Sequence, residues 1–258
     1  MKGGNSPLKL KAQHKGYTIV EVMIVLAVSG FMFVIAASFI NGKQARASFT
    51  SGANEMASRI QGTIDEVNDG RFSDIKLRCF LDGTSVKVED PDVSSQQGNN
   101  APCVFMGKFM HFNLDGNTSK YETFLLAGQR LPDDVSDPHI TPVISSTGTL
   151  NLTTTSAIPQ GLTVKYVKIN GSTYYGLGFM RDPADGTRMS VIYGLSSPNQ
   201  SQAQAVATIN NSSSRPSILS PSQIATLCIT DGTRYGTITV GEDGASLRTK
   251  TNLGISSC

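Results

Sequence analysis

A single apolar run near the N-terminus constrains this chain more than any other feature. Residues 22–40 are almost all apolar or small, and the carboxylate of Glu21 stands at the beginning of the run. As a helix the run would be about 28 Å long, close to the hydrocarbon thickness of a bilayer. A charged side chain in such a segment costs roughly 2.5–3.5 kcal/mol. The run therefore predicts a membrane-spanning helix, and Glu21 calls for a partner that compensates its charge.

The residues on either side of this run predict its orientation. Lysines but no acids precede it, namely Lys2, Lys9, Lys11 and Lys15. An excess of lysine and arginine marks the cytoplasmic end of a membrane helix, so the rest of the chain is expected outside. A secretory signal carries a small-residue cleavage site after its apolar region, and no such site follows here. A plain anchor whose acid reaches the interface is the alternative, but it leaves the basic segment ending in Gly16 unexplained.

Residues 15–21 (KGYTIVE) and the apolar residues 22–30 resemble the class III signal of type IV pilins and pseudopilins. In that family a prepilin peptidase cleaves after the glycine and methylates the new N-terminal amine. The resemblance implies a cleaved leader over residues 1–16, with Gly16 and Tyr17 at the processing site, and an assembly role for Glu21. Phenylalanine is the common first mature residue in the family, and many pilins carry a helix-kinking proline where this chain has Ser38.

A new amine at Tyr17 and the carboxylate of Glu21 would be opposite charges in a filament core. Removing one partner of such a buried pair costs about 3–5 kcal/mol. We therefore expect Glu21 to pair with the N-terminus of a neighbouring subunit. Such an ion pair would stabilise the correct axial register between the two helices.

The resemblance also implies the partners and the location of the protein. It implies other pilin subunits, the prepilin peptidase and a pilus assembly platform, with the cytoplasmic membrane occupied before assembly and an extracellular filament afterwards. Such a filament serves adhesion, twitching motility or DNA uptake. A minor pseudopilin of a type II secretion or DNA-uptake system is a second hypothesis. A membrane-anchored binding domain that does not polymerise is a third.

Beyond Asn41 the apolar residues follow a helical stripe, Phe49, Ala53, Met56, Ile60, Ile64 and Val67. This spacing predicts that the helix continues, and Asn68-Asp69-Gly70 is typical of a helix end. We expect a transmembrane or filament-core helix over residues 17–40, an amphipathic continuation over 41–69 and an extracytoplasmic globular domain over 70–258.

The remainder of the chain has the pattern of a β domain. Stretches rich in β-branched and aromatic residues, separated by Asp-Gly and Asn-Gly turns, predict strands at 75–81, 103–107, 109–114, 121–127, 162–169, 173–180, 188–193, 224–229 and 235–240. Two polar stretches, 82–102 and 196–222, predict exposed loops, the second with a short strand or helix over 202–209. The expected fold class is α+β, with a long N-terminal helix packed on an antiparallel β-rich domain. The order of these elements also resembles H-type minor pseudopilins and FimT-like minor pilins.

Four cysteines, Cys79, Cys103, Cys228 and Cys258, all follow the apolar run. An even number of cysteines in an oxidising compartment indicates two disulfides. Three pairings are open, and we favour the local pairs Cys79–Cys103 and Cys228–Cys258. No Cys-x-x-Cys spacing supports a zinc site.

The sequence contains no phosphate-binding loop, dinucleotide fingerprint, nucleophile elbow or zinc-protease motif. We therefore expect no enzyme activity, cofactor, metal or small-molecule substrate. His111 follows a strand pattern and is expected to be a hydrogen-bonded sheet residue. The acids near His139, Asp133, Asp134 and Asp137, are expected in a solvated loop.

Nucleic-acid binding is a weaker hypothesis. Arg234, Arg248 and Lys250 form a modest basic set that could contact phosphates with salt-dependent affinity. Acids are interleaved with them, and the net charge of the whole chain is only +2. These features favour an ordinary solvated face.

Overall fold

The fold is described from a computed structural model. It describes residues 16–70, 78–82, 85–89, 103–131, 134–143, 153–181, 189–210, 216–219, 223–243 and 246–258. Only the backbone is described at positions 37, 39–41, 78–82, 85–89, 103–104, 128–131, 134–143, 210, 242–243 and 246. The expected leader, up to residue 15, lies outside the described residues. The chain divides into two compact units, Met1–Ala47 and Ser48–Cys258, and each is described by itself.

The first element, α1 (Ile19–Asn68), is a helix of 50 residues whose ends match their sequence signals. At its start the Thr18 hydroxyl accepts a hydrogen bond from the Glu21 backbone N–H at 3.2 Å. At its end Gly70 adopts a left-handed φ of 65°, a conformation that glycine takes at little cost. Its N–H donates to the Val67 carbonyl at 3.1 Å.

The remaining elements are fourteen strands and one short helix among the described residues. They are β1 (Arg78–Asp82), β2 (Ser85–Glu89), β3 (Cys103–Leu114), β4 (Asn117–Leu131), β5 (Asp134–Val143), β6 (Thr153–Ala157), β7 (Thr163–Ile169), β8 (Ser172–Tyr174), β9 (Gly176–Arg181), β10 (Met189–Gly194), α2 (Gln202–Asn210), β11 (Ser217–Ile218), β12 (Ala225–Thr230), β13 (Tyr235–Asp243) and β14 (Ser246–Ile255). A 3-10 turn, Pro159–Gly161, precedes β7.

All of the strand pairs are antiparallel. The larger sheet has seven strands in the order β11-β10-β9-β3-β4-β5, with β6 also paired to β4. The second sheet has five strands in the order β14-β13-β12-β7-β8, and β1 and β2 form a separate hairpin. This confirms the expected α+β class with an antiparallel β-rich domain.

The main core of the second unit lies between α1 and the two large sheets. The predicted stripe from Phe49 to Val67 is buried, and it joins one cluster with inward-facing strand residues such as Leu227 and Ile238 of the five-stranded sheet and Phe179 of the larger sheet. A second cluster lies on the other face of the larger sheet. It is formed by Met106, Phe109, Phe124, Leu126, Met180, Ile192, Leu195, Ala205 and Ile209, so α2 covers that face.

Side chains of α1 also bond to the edge strand β14. The Oε1 of Gln61 accepts from the Thr249 N–H at 3.2 Å, and its Nε2 donates to the Leu247 carbonyl at 3.5 Å. The Oδ1 of Asn54 accepts from the Thr251 hydroxyl at 3.3 Å. Because an exposed edge strand offers unpaired backbone groups, the Gln61 amide satisfies part of the edge, and both amides fix the helix on the sheet.

Several sequence predictions require correction. The strands expected at 103–107 and 109–114 are one strand, β3, with a bulge between Phe105 and Gly107. A Cβ at Gly107 would collide with the Phe179 carbonyl, so the bulge needs a glycine. Strand β2 lies in the loop expected over 82–102, and β11 lies in the loop expected over 196–222. The short strand or helix expected over 202–209 is confirmed as the helix α2.

The solvated loop expected near His139 is also wrong, because residues 134–143 form β5 and pair with β4. Pro138 and Pro142 are compatible with this strand, because β5 lies at a sheet edge, where proline is tolerated. Strands β6 and β14 were not predicted, since both are rich in threonine and other polar residues and lack a clear apolar run.

His111 lies in β3 and is fully buried, as a sheet residue, directly across from Glu122 of β4. Its Nδ1 is 3.8 Å from the Glu122 Oε2. Neither ring nitrogen has a hydrogen-bond partner among the described protein atoms, so the expectation of a hydrogen-bonded histidine is wrong. The imidazole instead stacks on Phe124, with ring centroids 6.3 Å apart.

Candidate assembly and processing segment

The segment in front of α1 is open to solvent. Gly16, Tyr17 and Thr18 precede the first helical turn and are exposed, and the Tyr17 side chain is 81% exposed. A peptidase needs an accessible peptide bond. The bond after Gly16 meets that condition in this structure.

Glu21 occupies the third position of the helix, counted from Thr18 as the N-cap. Thr18-Ile19-Val20-Glu21 has the spacing of a capping box, in which the N-cap hydroxyl bonds to the N–H three residues on. A carboxylate in the first helical turn also interacts favourably with the helix dipole, by about 0.3–1 kcal/mol. Sequence reasoning missed this local role, although the Thr-x-x-Glu spacing signals it. The backbone N–H of Glu21 thus bonds to the Thr18 cap, and its carboxylate lies in the first turn, where the helix dipole favours a negative charge.

Among the described residues, none covers the helix after Glu21. Residues Ile19–Ala36 have a mean hydropathy of 2.6, and none of this window is buried. Large side chains are exposed on every side, including Phe31 at 67% and Phe33 at 74%. Among the described residues, this is the one helix long and apolar enough to cross a membrane. A helix that is apolar all round needs lipid or other protein segments around it.

Ser38 stands where many pilins carry a kinking proline. Its hydroxyl donates to the Val34 carbonyl at 2.9 Å, one turn earlier. The backbone donor that proline would remove is retained, and α1 is helical across this position. A serine back-bond of this type can bend a helix slightly but does not break it.

The C-terminus is held by a disulfide. Cys228 of β12 and Cys258 are bonded, with an S–S distance of 2.00 Å and a Cα–Cα distance of 5.6 Å. This is one of the two local pairs expected from the sequence. The Tyr166 hydroxyl adds a hydrogen bond to the Cys258 carbonyl at 2.9 Å. The Cys79 and Cys103 side chains lie outside the described residues.

The three basic residues proposed for nucleic acid do not form one patch. Arg234 precedes β13, whereas Arg248 and Lys250 lie on β14 opposite Gly241 and Thr239, near the other end of that strand. Gly241 is seven residues beyond Arg234, so at about 3.4 Å per residue Arg234 and Arg248 are roughly 24 Å apart along the strand direction. Arg234 is also half-buried, and its Nη1 lies 3.8 Å from the Asp231 carboxylate.

Asp231 organises the turn in which Arg234 lies. Its Oδ1 accepts from the Thr233 N–H and hydroxyl, both at 2.9 Å, and from the Arg234 N–H at 2.7 Å. Burial alone would raise the pKa of this carboxyl, but these donors outweigh burial and hold the pKa below its ordinary value. The turn is thus a local structural device. No group of three or more His, Cys, Asp or Glu side chains within the described ranges is placed to hold a metal.

Comparison with known proteins identifies the motif that contains the Gly16–Tyr17 junction and the exposed apolar helix. Residues 11–37 match the model of the prokaryotic N-terminal methylation motif. No curated protein and no solved structure matches the chain. The chain therefore carries a prepilin-type methylation motif, that is, a class III signal peptide. This motif indicates a type IV pilin-like or pseudopilin protein, a structural rather than an enzymatic class. The motif implies processing by prepilin peptidase and association with other pilin subunits.

Proposed function

We propose that this protein is a structural subunit of a type IV pilus-like filament. Prepilin peptidase cleaves after Gly16 and methylates the amine of Tyr17, and the mature chain polymerises through its N-terminal helix. One observation carries the proposal: within residues 11–37, which match the methylation motif, the helical window Ile19–Ala36 exposes its apolar surface on every side.

Assembly exchanges one apolar environment for another. Before assembly the helix spans the cytoplasmic membrane, and in the filament it lies among the helices of other subunits. Because lipid is as apolar as leucine, close packing and polar contacts drive association in place of the hydrophobic effect. Small residues such as Ala27, Ser29 and Gly30 permit close approach between helices.

Glu21 selects the position at which the helices dock. In the filament the Tyr17 amine of a neighbouring subunit pairs with its carboxylate. We assign the leader to residues 1–16, the membrane and filament-core helix to 17–40, its amphipathic continuation to 41–69 and the extracytoplasmic β domain to 70–258. The Cys228–Cys258 disulfide suits an oxidising exterior.

N-terminal mass spectrometry of protein sheared from the cell surface tests this function. We expect a mature chain that begins with N-methylated Tyr17. A surface protein that retains Met1 would instead indicate an anchored domain that does not polymerise, and would overturn the proposal.

A minor pseudopilin of a secretion or DNA-uptake machine is the second candidate, because the same motif serves both classes. The two differ in abundance. A shaft subunit dominates purified filaments, whereas a tip subunit is scarce relative to another pilin.

A further inference from the structure

Two ionisable side chains face each other inside the larger sheet. His111 of β3 and Glu122 of β4 lie directly opposite each other, and their side chains are 0% and 4% exposed. The His111 Nδ1 and the Glu122 Oε2 are 3.8 Å apart, which is beyond a hydrogen bond but within the range of an ion pair. The imidazole stacks on Phe124, so the pair lies on the face of the sheet that carries the second cluster.

This buried pair has few hydrogen bonds. Among the atoms of the described residues, no hydrogen-bond partner is present for either imidazole nitrogen or for the Glu122 Oε2. The Glu122 Oε1 accepts from the hydroxyl of Thr155 in β6 at 3.5 Å, a long distance for such a bond. Buried polar atoms without partners lower stability. Apolar side chains of similar size would fill the same space at least as well, so packing alone does not explain the pair.

The elements around the pair add little charge of their own. Strand β6 and residues 195–210, which include α2, contain no ionisable side chain. On β9 the residue opposite His111 is Gly176. The ionisable neighbours on this side of the sheet are the exposed Lys120 of β4, the exposed Asp115 in the turn between β3 and β4, and the partly buried Tyr175 before β9.

None of these neighbours is bonded to the pair. Within the described ranges, no hydrogen bond or ion pair joins Lys120, Asp115 or Tyr175 to His111 or Glu122. The other ionisable side chains of this region belong to the opposite face, namely Lys108, which pairs with Glu66 of α1, and Tyr121 and Tyr174, which pack in the main cluster. His111 and Glu122 are therefore coupled mainly to each other.

The pair is electrically neutral only when it holds one proton. With one proton, either an imidazolium faces a carboxylate or a neutral imidazole faces a carboxylic acid. With no proton the carboxylate is a buried charge without a partner, and with two protons the imidazolium is, and both states are costly. In the unfolded chain the two groups titrate independently, near their ordinary values of about 4.3 and 6.5.

We propose that His111 and Glu122 share one proton in the folded chain and make the globular unit most stable in mildly acidic medium. Above about pH 6.5 the unfolded chain releases a proton that the folded pair keeps, so stability falls as the pH rises. Below about pH 4.3 the unfolded chain binds a second proton that the folded pair excludes, so stability falls as the pH falls. Because the β domain is proposed to lie outside the cytoplasmic membrane, the pair would respond to the pH of the medium.

Chemical denaturation of the full-length protein in detergent, repeated between about pH 3.5 and about pH 8.5, tests the proposal. Above about pH 6.5 we expect the unfolding equilibrium constant of the wild type to rise by up to about tenfold per pH unit, the limit for one proton. Glu122→Gln removes the carboxylate, so the buried imidazole should stay neutral and stability should fall as the pH falls below about 6.5. Between about pH 8.5 and about pH 5.5, acidification should therefore stabilise the wild type and destabilise Glu122→Gln.

Glu55→Gln is the matched control. Glu55 forms an exposed ion pair with Arg59, and its side chain is 43% exposed. The same chemical change at this surface position should leave the wild-type pH profile intact over that range. Parallel profiles of wild type and Glu122→Gln would overturn the proposal.

His111→Gln tests the pair from its other member and decides the question if Glu122→Gln does not fold. The buried carboxyl should then keep a proton that the unfolded chain releases above about pH 4.3, so stability should fall from that pH upward. The wild type should hold its stability up to about pH 6.5. Stabilities of wild type and His111→Gln that differ by a constant amount across this interval would contradict a shared proton.

A measurement on the wild-type protein supports or overturns the proposal without relying on variant stability. In ¹⁵N-labelled protein the nuclear magnetic resonance signals of the His111 imidazole should stay unchanged between about pH 5.5 and about pH 7.5. A transition centred near the ordinary value of about 6.5 would mean that the proton is not shared. The inference concerns a single chain, so it stands or falls separately from polymerisation, which N-terminal mass spectrometry of sheared protein tests.

Discussion

The two parts of α1 have the same backbone conformation and opposite surroundings. In the first unit the window Ile19–Ala36 is apolar on all sides and entirely exposed. In the second unit the same helix has a single apolar stripe, and the stripe is buried, with Ala53, Met56, Ile60 and Val67 completely inaccessible. The pattern of apolar residues, rather than helix propensity, determines what each part requires around it.

This difference separates two kinds of stability. The stripe of the second unit is satisfied within the chain, so its burial contributes to folding of the globular unit. The exposed window of the first unit contributes nothing to folding of its own chain. Its apolar surface is covered only in lipid or in a polymer, so its stabilising effect appears only there. Mutations in the two parts should therefore affect different measurements.

The largest expected effect is that of Glu21→Ala. Loss of one partner of a buried ion pair costs about 3–5 kcal/mol, enough to reduce incorporation into filaments by more than about a hundredfold. Cleavage after Gly16 should continue, because the peptide bond lies outside the helix. The measurements are gel mobility for processing and the protein content of sheared filaments.

Glu21→Gln is the control that separates charge from capping. Glutamine serves as well as glutamate at the third position of a capping box but carries no charge. Normal assembly of Glu21→Gln would mean that helix capping, rather than ion pairing, explains this residue.

The next largest effect is expected for Ile60→Ala, with Ile24→Ala in the same helix as the comparison. Ile60 is 0% exposed in the second unit, and Ile24 is 58% exposed in the first. Ile60→Ala should lower the free energy of unfolding of the globular unit by about 2–5 kcal/mol, because it leaves a cavity. Ile24→Ala should leave it unchanged. Thermal unfolding of both variants in detergent checks this, and equal shifts would contradict the division of α1 into two roles.

The third effect concerns the Cys228–Cys258 disulfide, which closes a loop with a sequence separation of 30 residues. Replacing both cysteines with alanine should lower the free energy of unfolding by about 2–4 kcal/mol, since the unfolded chain regains freedom. Processing after Gly16 should be unaffected. Chemical denaturation of the oxidised protein and the double variant gives the difference, and no change would show that Tyr166 and the sheet hold the C-terminus without the bond.

The sequence was most informative where the physical signal is periodic and local. The bounds of α1 follow from Thr18 and Gly70, and its buried stripe follows from three- and four-residue spacing. Within the β domain, strands with β-branched runs were found. Those that depend on tertiary pairing were missed, including β14, whose threonines bond to α1. Arg234 and Arg248 are close in the printed sequence, but a strand length separates them, which only the register reveals.

The smallest effect is expected at Asp231, an acid in the turn between β12 and β13, and it is best understood by comparison with Glu21. We propose that the exposed Glu21 finds its partner in another chain, whereas Asp231 is hydrogen-bonded within its own turn. Because the pKa of Asp231 is lowered in the folded state, its contribution to stability is present above the ordinary value of 3.8 and is lost as pH falls through the folded pKa. Asp231→Asn should therefore reduce stability at pH 7 by less than about 1 kcal/mol. The difference from wild type should shrink as the pH is lowered below that ordinary value. Unfolding curves of both proteins at pH 7 and at a pH below that ordinary value measure the change in stability. A difference independent of pH would mean that Asp231 contributes turn geometry rather than the charge of its carboxylate.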